Sequence, residues 1–379
     1  MLRFLHLAHD HVSVRRLRAQ LANRTGEAHT WVLCGAAKGA EADWILDVRD
    51  DLPESIRTAT WDAVVVHRMR QPTPRWVLSI PDGPLFVWAT WGDDYYRVFP
   101  ALSRGIYLPR TRLLLGAIGK VSVNVLGAIQ SCRNAVLPRS WRITPRDWEL
   151  AAMNRMDGIA NLFESDFVAL PFLRNRPSLF YSSWYNAIPQ VVPEMLASVG
   201  PEGPILLGSS ATTSGNHLDF LWDHSAEVQP TGRQVRMVMA YGSRRYARAV
   251  QWLGRKRWGR QLEWLEERLP LEEYIRYLAE CPVVVHNQVR NQNTGNAVLS
   301  FLLGQRVLMR SETFLYRYFT GLGFEIGDAS ADSLDLSPLP EAQRIHNRSL
   351  ALQWFGDEAV MQRFEAFVTD VKAERSRPV

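Results

Sequence analysis

The segment Pro204-Ile205-Leu206-Leu207-Gly208-Ser209-Ser210-Ala211-Thr212-Thr213-Ser214-Gly215-Asn216-His217 decides the fold. An apolar run that breaks into a loop of glycine, serine and threonine, with a helical pattern starting at Leu218, reads as strand, turn and helix N-terminus. The same grammar recurs downstream. Val235–Tyr241 is a strand followed by the basic helical stretch Arg244–Arg260, and Pro282–His286 is a strand followed by the polar loop Arg290–Asn296 and the helix Ala297–Leu303. Arg306–Met309 closes the series. Alternating strands and helices imply a parallel sheet covered on both faces.

Upstream the pattern is similar: Leu2–Ala8, helix Val14–Asn23, Trp31–Cys34, Ala63–His67 and Leu85–Thr90. Between the halves, 189–204 carries Pro189, Pro193, Pro201 and Pro204 and reads as an interdomain linker. A chain of 379 residues suits two domains. The sequence therefore predicts an α/β protein of two Rossmann-like domains facing a cleft, over 1–188 and 205–340, with C-terminal helices in 341–379 crossing back onto the N-terminal domain.

An apolar fraction of 46% excludes a disordered chain. Three cysteines, Cys34, Cys132 and Cys281, lack the pairing of a disulfide framework or a zinc site. The N-terminus runs straight into a strand pattern, so no signal peptide is expected, and Leu113–Ser131 is interrupted by Lys120 and Asn124 and falls short of a membrane span.

The net charge of +5 is unevenly placed. The stretch 95–146 holds nine basic residues and no acidic one, among them Arg97, Arg104, Arg110 and Arg112, interleaved with Leu113, Leu114, Leu115 and Leu126. Apolar side chains flanked by cations suit an anionic membrane surface, so 95–146 reads as an insert for membrane docking; a buried helical hairpin with a solvated basic face is the alternative. Arg244–Arg260, with Trp252 and Trp258, has the spacing of an amphipathic helix. No nucleic-acid motif accompanies either stretch, and a nucleic-acid partner is not expected.

Loops that open helices at the carboxyl ends of parallel strands present N–H groups to anions. Two such loops, Gly208–His217 and Arg290–Asn296, together suit a diphosphate. In the first half the corresponding strand ends carry His9-Asp10-His11, His67 and Trp91-Gly92-Asp93-Asp94. Transfer to a hydroxyl needs a group that accepts its proton, and Asp94, Asp10 and His67 are the candidates. Adjacent residues such as His9, Asp10 and His11 rarely converge on one ion, so no metal is expected.

Phe86-Val87-Trp88-Ala89-Thr90-Trp91-Gly92-Asp93-Asp94-Tyr95-Tyr96, the Gly208–His217 loop, Tyr274, Leu278 and Cys281 before a strand, and Arg290, Gln292 and Gly295 occur in one order. In that order the chain resembles the dTDP-N-acetylfucosamine:lipid II N-acetylfucosaminyltransferase family of enterobacterial common antigen, glycosyltransferase family fifty-six. The family's Gly-Asn-Ser is Gly208-Ser209-Ser210 here, and the second glycine of its Gln-x-x-Gly loop is Asn293.

The resemblance implies a metal-independent GT-B glycosyltransferase without cofactor, moving a deoxy or amino sugar from a dTDP-linked donor to a polyprenyl-diphosphate-linked saccharide in bacterial surface polysaccharide synthesis. It implies donor contacts from Gly208, Ser209, Ser210, Ser214, Asn216, His217, Arg290, Gln292, Thr294, Gly295 and Asn296. Acceptor contacts fall on His9, His11, Trp91, Gly92 and Tyr95. A cytoplasmic protein, peripheral on the inner face of the inner membrane, follows. A transferase with a soluble or protein acceptor and a non-catalytic nucleic-acid-binding scaffold are the alternatives.

Overall fold

The computed structural model describes residues 1–35, 41–117, 145–162, 170–185 and 202–375. These residues form two compact units: one from the described residues of Met1–Leu102, Leu137–Ala187 and Asp357–Val379, the other from those of Ser103–Val136 and Ile188–Gly356.

The first unit holds β1 (Leu2–His9), β2 (Glu27–Cys34), β3 (Trp44–Leu46), β4 (Ala63–His67), β5 (Leu85–Ala89), β6 (Gly158–Asn161) and β7 (Leu179–Ser182). They make one sheet in the order β3-β2-β1-β4-β5-β6-β7, and every neighbouring pair is parallel. The second unit holds β8 (Ile205–Leu207), β9 (Val235–Val238), β10 (Leu262–Leu265), β11 (Val283–His286), β12 (Arg306–Met309) and β13 (Gly327–Asp328), in the order β10-β9-β8-β11-β12-β13, again parallel throughout. Each sheet starts in its middle, grows one way and then reverses. This is Rossmann winding, and it creates a crevice at the carboxyl ends of β1 and β4 and of β8 and β11.

The central strands are apolar because both faces are covered: all five residues of Ala63–His67 and all four of Val283–His286 are buried. The two-domain Rossmann-like fold read from the sequence is thus the fold of the chain. Its missed strands are short. β3, β6, β7, β10 and β13 lie at or next to sheet edges, and none is buried along its whole length.

Two boundaries differ from the sequence reading. The C-terminal helices do not return together. Helix Glu341–Phe355 stays with the second unit, where the Arg348 guanidinium donates to the Leu302 carbonyl at 2.7 Å at the end of helix Thr294–Leu303. Helix Glu341–Phe355 ends at Gly356, and the next helix, Asp357–Arg375, belongs to the first unit, with Phe364 and Phe367 packed on Phe4, Tyr181 and Trp184.

Second, the described start of the basic insert, 103–117, belongs with the second unit. The Asp219 carboxylate accepts from the Arg110 and Thr111 amides at 2.8 and 3.0 Å, and so holds the first turn of the helical residues 109–117. The remainder of the insert, 118–144, and most of the linker, 189–201, lie outside the described residues.

Candidate functional site

In the second unit β8 ends at Gly208, whose amide donates to the Val285 carbonyl at 2.9 Å, so the loops after β8 and β11 leave the sheet side by side. Gly208 has φ of +70°, and a Cβ there would lie 2.6 Å from His217 Nε2. A Cβ on Gly215 would lie 2.5 Å from His217 Cε1. The imidazole is thus seated against two backbones that only glycine allows to come so near. Burial holds it neutral, lowering its pKa to about 4. Its amide donates to the Tyr246 hydroxyl at 3.1 Å, and Nδ1 meets the same hydroxyl at 3.2 Å.

The two loops are bonded together. Gln292 Oε1 accepts from Ser214 Oγ at 2.7 Å and from Arg290 Nε at 2.6 Å, and Gln288 Nε2 donates to the Gln292 carbonyl at 3.2 Å. Asn293, at φ of +65°, then opens helix Thr294–Leu303 with no side-chain cap on its first-turn amides. Asn296 Oδ1 accepts from the Tyr274 hydroxyl at 3.2 Å.

Around these loops Ser209 Oγ, His217 Nε2, Gln288 Oε1, both side-chain polar atoms of Asn291 and Gln292 Nε2 are buried without a partner among the described residues. Folded proteins rarely leave so many buried polar atoms unpaired in one place. Donors and acceptors converge here on the crevice formed where the strand order reverses.

Asn216 has a different part. Its Oδ1 accepts from the Leu108 amide at 3.0 Å, and its Nδ2 donates to the Ile106 carbonyl at 3.1 Å and the Ser214 carbonyl at 3.2 Å. With 0% exposure and both side-chain atoms engaged, it fastens 106–108 to the loop rather than facing a ligand.

In the first unit the sequence candidates separate. Asp10 forms a two-pronged ion pair with Arg15, at 2.6 and 2.5 Å. Asp94 is 1% exposed; its Oδ2 accepts from the Trp88 indole and from the Trp91 amide, both at 3.1 Å. Burial and then the neighbouring Asp93 charge push its pKa up to about 7. It braces the turn after β5 from inside. Tyr95 is 2% exposed and packs edge-on against Trp88, so it is a core residue rather than an acceptor contact. His9 Nε2 is bonded to the Arg70 carbonyl at 3.0 Å.

His11 and Trp91 do meet, edge to face, with ring centroids 4.5 Å apart; His11 Nδ1 accepts from the Ser13 amide at 3.2 Å. Trp91 also lies 5.6 Å from the ring of Tyr185, which the sequence reading missed. His67 is 1% exposed and has both ring nitrogens engaged, Nε2 with His6 Nδ1 at 2.8 Å and Nδ1 with the Tyr185 hydroxyl. It cannot itself receive a substrate proton. His6 on β1 and His29 on β2 were also missed; each lies within a strand, with no local pattern to single it out.

Among the described residues no group of three or more His, Cys, Asp and Glu is placed to hold a metal, and no helix is long and apolar enough to cross a membrane.

No protein-family model and no curated protein matches the chain in sequence. Solved structures do match in shape. The chain is similar to sucrose-phosphate synthase from Thermosynechococcus elongatus, with TM-score 0.59 and 10% identity over 99% of this chain and 100% of that one. It is similar to the HepE protein of Anabaena, solved with UDP and glucose, with TM-score 0.58 and 12% identity over 97% and 100%. A Listeria monocytogenes protein assigned as a UDP-N-acetylglucosamine 2-epimerase gives TM-score 0.56 and 13% identity over 100% and 98%. These likenesses, at such low identity, establish the GT-B fold.

Proposed function

We propose that the chain is a glycosyltransferase that takes its sugar from a nucleoside-diphosphate donor bound by the second unit. The observation that carries this reading is the cluster of buried polar groups on Ser209, His217, Gln288, Asn291 and Gln292 that have no partner among the described residues, beside first-turn amides of Thr294, Gly295 and Asn296 that the side chain of Asn293 does not cap. Arg290, steered by Gln292, supplies positive charge. Transition-state charge develops on the leaving diphosphate, and fixed donors aimed at it lower the barrier. The likeness to HepE, solved with UDP and glucose, supports a nucleotide-linked sugar as the donor.

The acceptor falls to the first unit, around His11, Trp91 and Gly92. A dTDP-linked deoxy or amino sugar and a polyprenyl-diphosphate-linked acceptor are the finer reading, supported by the resemblance in the Trp91–Tyr95 and Gly208–His217 segments. Attachment to an anionic membrane through 95–146 is supported by Leu113, which is 77% exposed between Arg112 and the following leucines.

The test incubates the protein with dTDP-, UDP- and GDP-sugars and a polyprenyl-diphosphate-linked saccharide in anionic vesicles, and follows acceptor mass. Growth of the acceptor by one sugar with one nucleotide class supports the proposal. Conversion of the donor without growth of any acceptor favours a second reading, a nucleotide-sugar epimerase, which the Listeria structure's likeness supports.

A further inference from the structure

Period-two alternation along β1, β2 and β4 puts Glu27, His29, His6 and His67 on one face of the first sheet. The register then sets them on a diagonal. Glu27 is level with Leu2 and His29 with Phe4, His6 stands on β1 itself, and His67 is level with Ala8. Each step moves two residues toward the carboxyl edge of the sheet. The side chains meet end to end: Glu27 Oε2 to His29 Nε2 at 3.0 Å, His29 Nδ1 to His6 Nε2 at 3.0 Å, and His6 Nδ1 to His67 Nε2 at 2.8 Å. His67 Nδ1 reaches the Tyr185 hydroxyl at the edge, and the Trp31 ring stacks on His6 at 3.9 Å.

The inner end fixes the direction. Burial raises the Glu27 carboxyl, but two hydrogen bonds from Arg24, at 2.8 Å each, the charge of Arg24 and the contact with His29 together outweigh it and leave the carboxyl below its usual range. Burial keeps all three histidines neutral: His67 falls to about 3, His6 falls well below its ordinary value, and His29 falls although Glu27 opposes the shift. Each neutral imidazole has one N–H. An ionised Glu27 can only accept, so His29 carries its proton on Nε2, which obliges His6 and then His67 to do the same. His67 Nδ1 is left as an acceptor, and the Tyr185 hydroxyl donates to it.

We propose that Tyr185 is the base that receives the proton of the attacking acceptor hydroxyl, and that His67, His6, His29 and Glu27 are the relay that takes up the proton Tyr185 gives away. This rests on the transferase reading above. In the step, the acceptor O–H breaks and a new O–H forms on Tyr185. The Tyr185 proton goes to His67 Nδ1, the His67 Nε2 proton to His6 Nδ1, the His6 Nε2 proton to His29 Nδ1, and the His29 Nε2 proton to Glu27. The acceptor oxygen attacks the sugar carbon as the bond to the leaving diphosphate breaks and its electron pair departs with that diphosphate. Nothing is oxidised or reduced, and the negative charge of Glu27 ends on the nucleotide. Tyr185 is the catalytic residue, and the four inner groups position and neutralise it.

Two measurements on the full-length protein test this. In ¹⁵N-histidine NMR at pH 7, His6, His29 and His67 are expected as Nε2–H tautomers, and Tyr185→Phe should shift the His67 Nδ1 resonance; an Nδ1–H or doubly protonated ring at any of the three overturns the relay. In transfer assays, Tyr185→Phe should lower kcat about 100-fold with nucleotide-sugar affinity within twofold of wild type. Glu27→Gln, which can accept a hydrogen bond but not take up the proton, should lower kcat with KM unchanged, and Glu27→Asp should recover part of the loss. Wild-type transfer with Tyr185→Phe within threefold overturns the role of Tyr185 and leaves the transferase reading standing. No transfer by the wild type overturns the transferase reading and the base assignment with it, and the tautomers then decide the relay alone.

Discussion

The imidazole of His217 fills the space that side chains on Gly208 and Gly215 would occupy, at 2.6 and 2.5 Å from where their Cβ atoms would stand. Gly208→Ala and Gly215→Ala should therefore each destabilise the second unit by about 1–3 kcal/mol, with Gly208→Ala also straining a φ of +70°. Adding His217→Ala to either should recover part of that cost. Thermal unfolding of the single and double variants reads the coupling, and strict additivity would contradict the contact.

Asp219 should behave as a structural clamp. Its carboxylate also accepts from Thr111 Oγ1, at 2.6 Å, besides the two amides. Asp219→Ala should cost about 2 kcal/mol and accelerate hydrogen exchange at Arg110 and Thr111, because three donors lose a charged acceptor. Unchanged exchange there would show that 103–117 is held by other means.

Acid should weaken the protein before it reaches ordinary carboxylate range. Burial lowers His67 to about 3 and His217 and His286 to about 4, against about 6.5 in an unfolded chain. Between those values the unfolded state binds more protons, so the stability these groups contribute is present above pH 6.5 and lost as pH falls toward 4. Asp94, raised to about 7 by burial and by Asp93, acts in the opposite direction: its contribution is present below its unfolded value and lost as pH rises to 7. Asp94→Asn should thus steepen the decline between pH 6.5 and 4, by up to about 1.4 kcal/mol per pH unit. Parallel curves for wild type and variant would contradict the assignment.

Gln292 is the joint between the two donor loops, accepting from both Ser214 and Arg290. Gln292→Ala should weaken nucleoside-diphosphate binding about 10-fold by releasing the Arg290 guanidinium, while costing no more than about 1 kcal/mol of stability. Titration calorimetry and thermal unfolding separate the two effects.

The sheets were legible because central strands of a parallel sheet are buried on both faces, so Ala63–His67 and Val283–His286 stand out as unbroken apolar runs. Short edge strands such as Trp44–Leu46 and Gly327–Asp328 carry no such mark. The loops Gly208–His217 and Arg290–Asn296 were legible as small and polar stretches at strand ends. Which side chains point inward was not. Asn216 has the chemistry of a ligand contact, but a φ of +51° turns its amide group onto 106–108. Asp94 and His67 are the right residue types at the right strand ends, yet their side chains face the interior. Tyr185 follows β7 at the far edge of the sheet and meets β4, a neighbour 118 residues earlier in the chain, and no local pattern announces that contact.

Titration calorimetry of the wild-type protein and Arg290→Ala with dTDP, UDP and GDP tests the central claim most directly. Selective binding of one nucleoside diphosphate by the wild type, weakened about 10-fold or more in Arg290→Ala, is the expected result. Absence of binding of all three by the wild type at millimolar concentration, or equal affinity in the variant, would contradict the assignment of the Gly208–His217 and Arg290–Asn296 loops to a nucleotide-sugar donor.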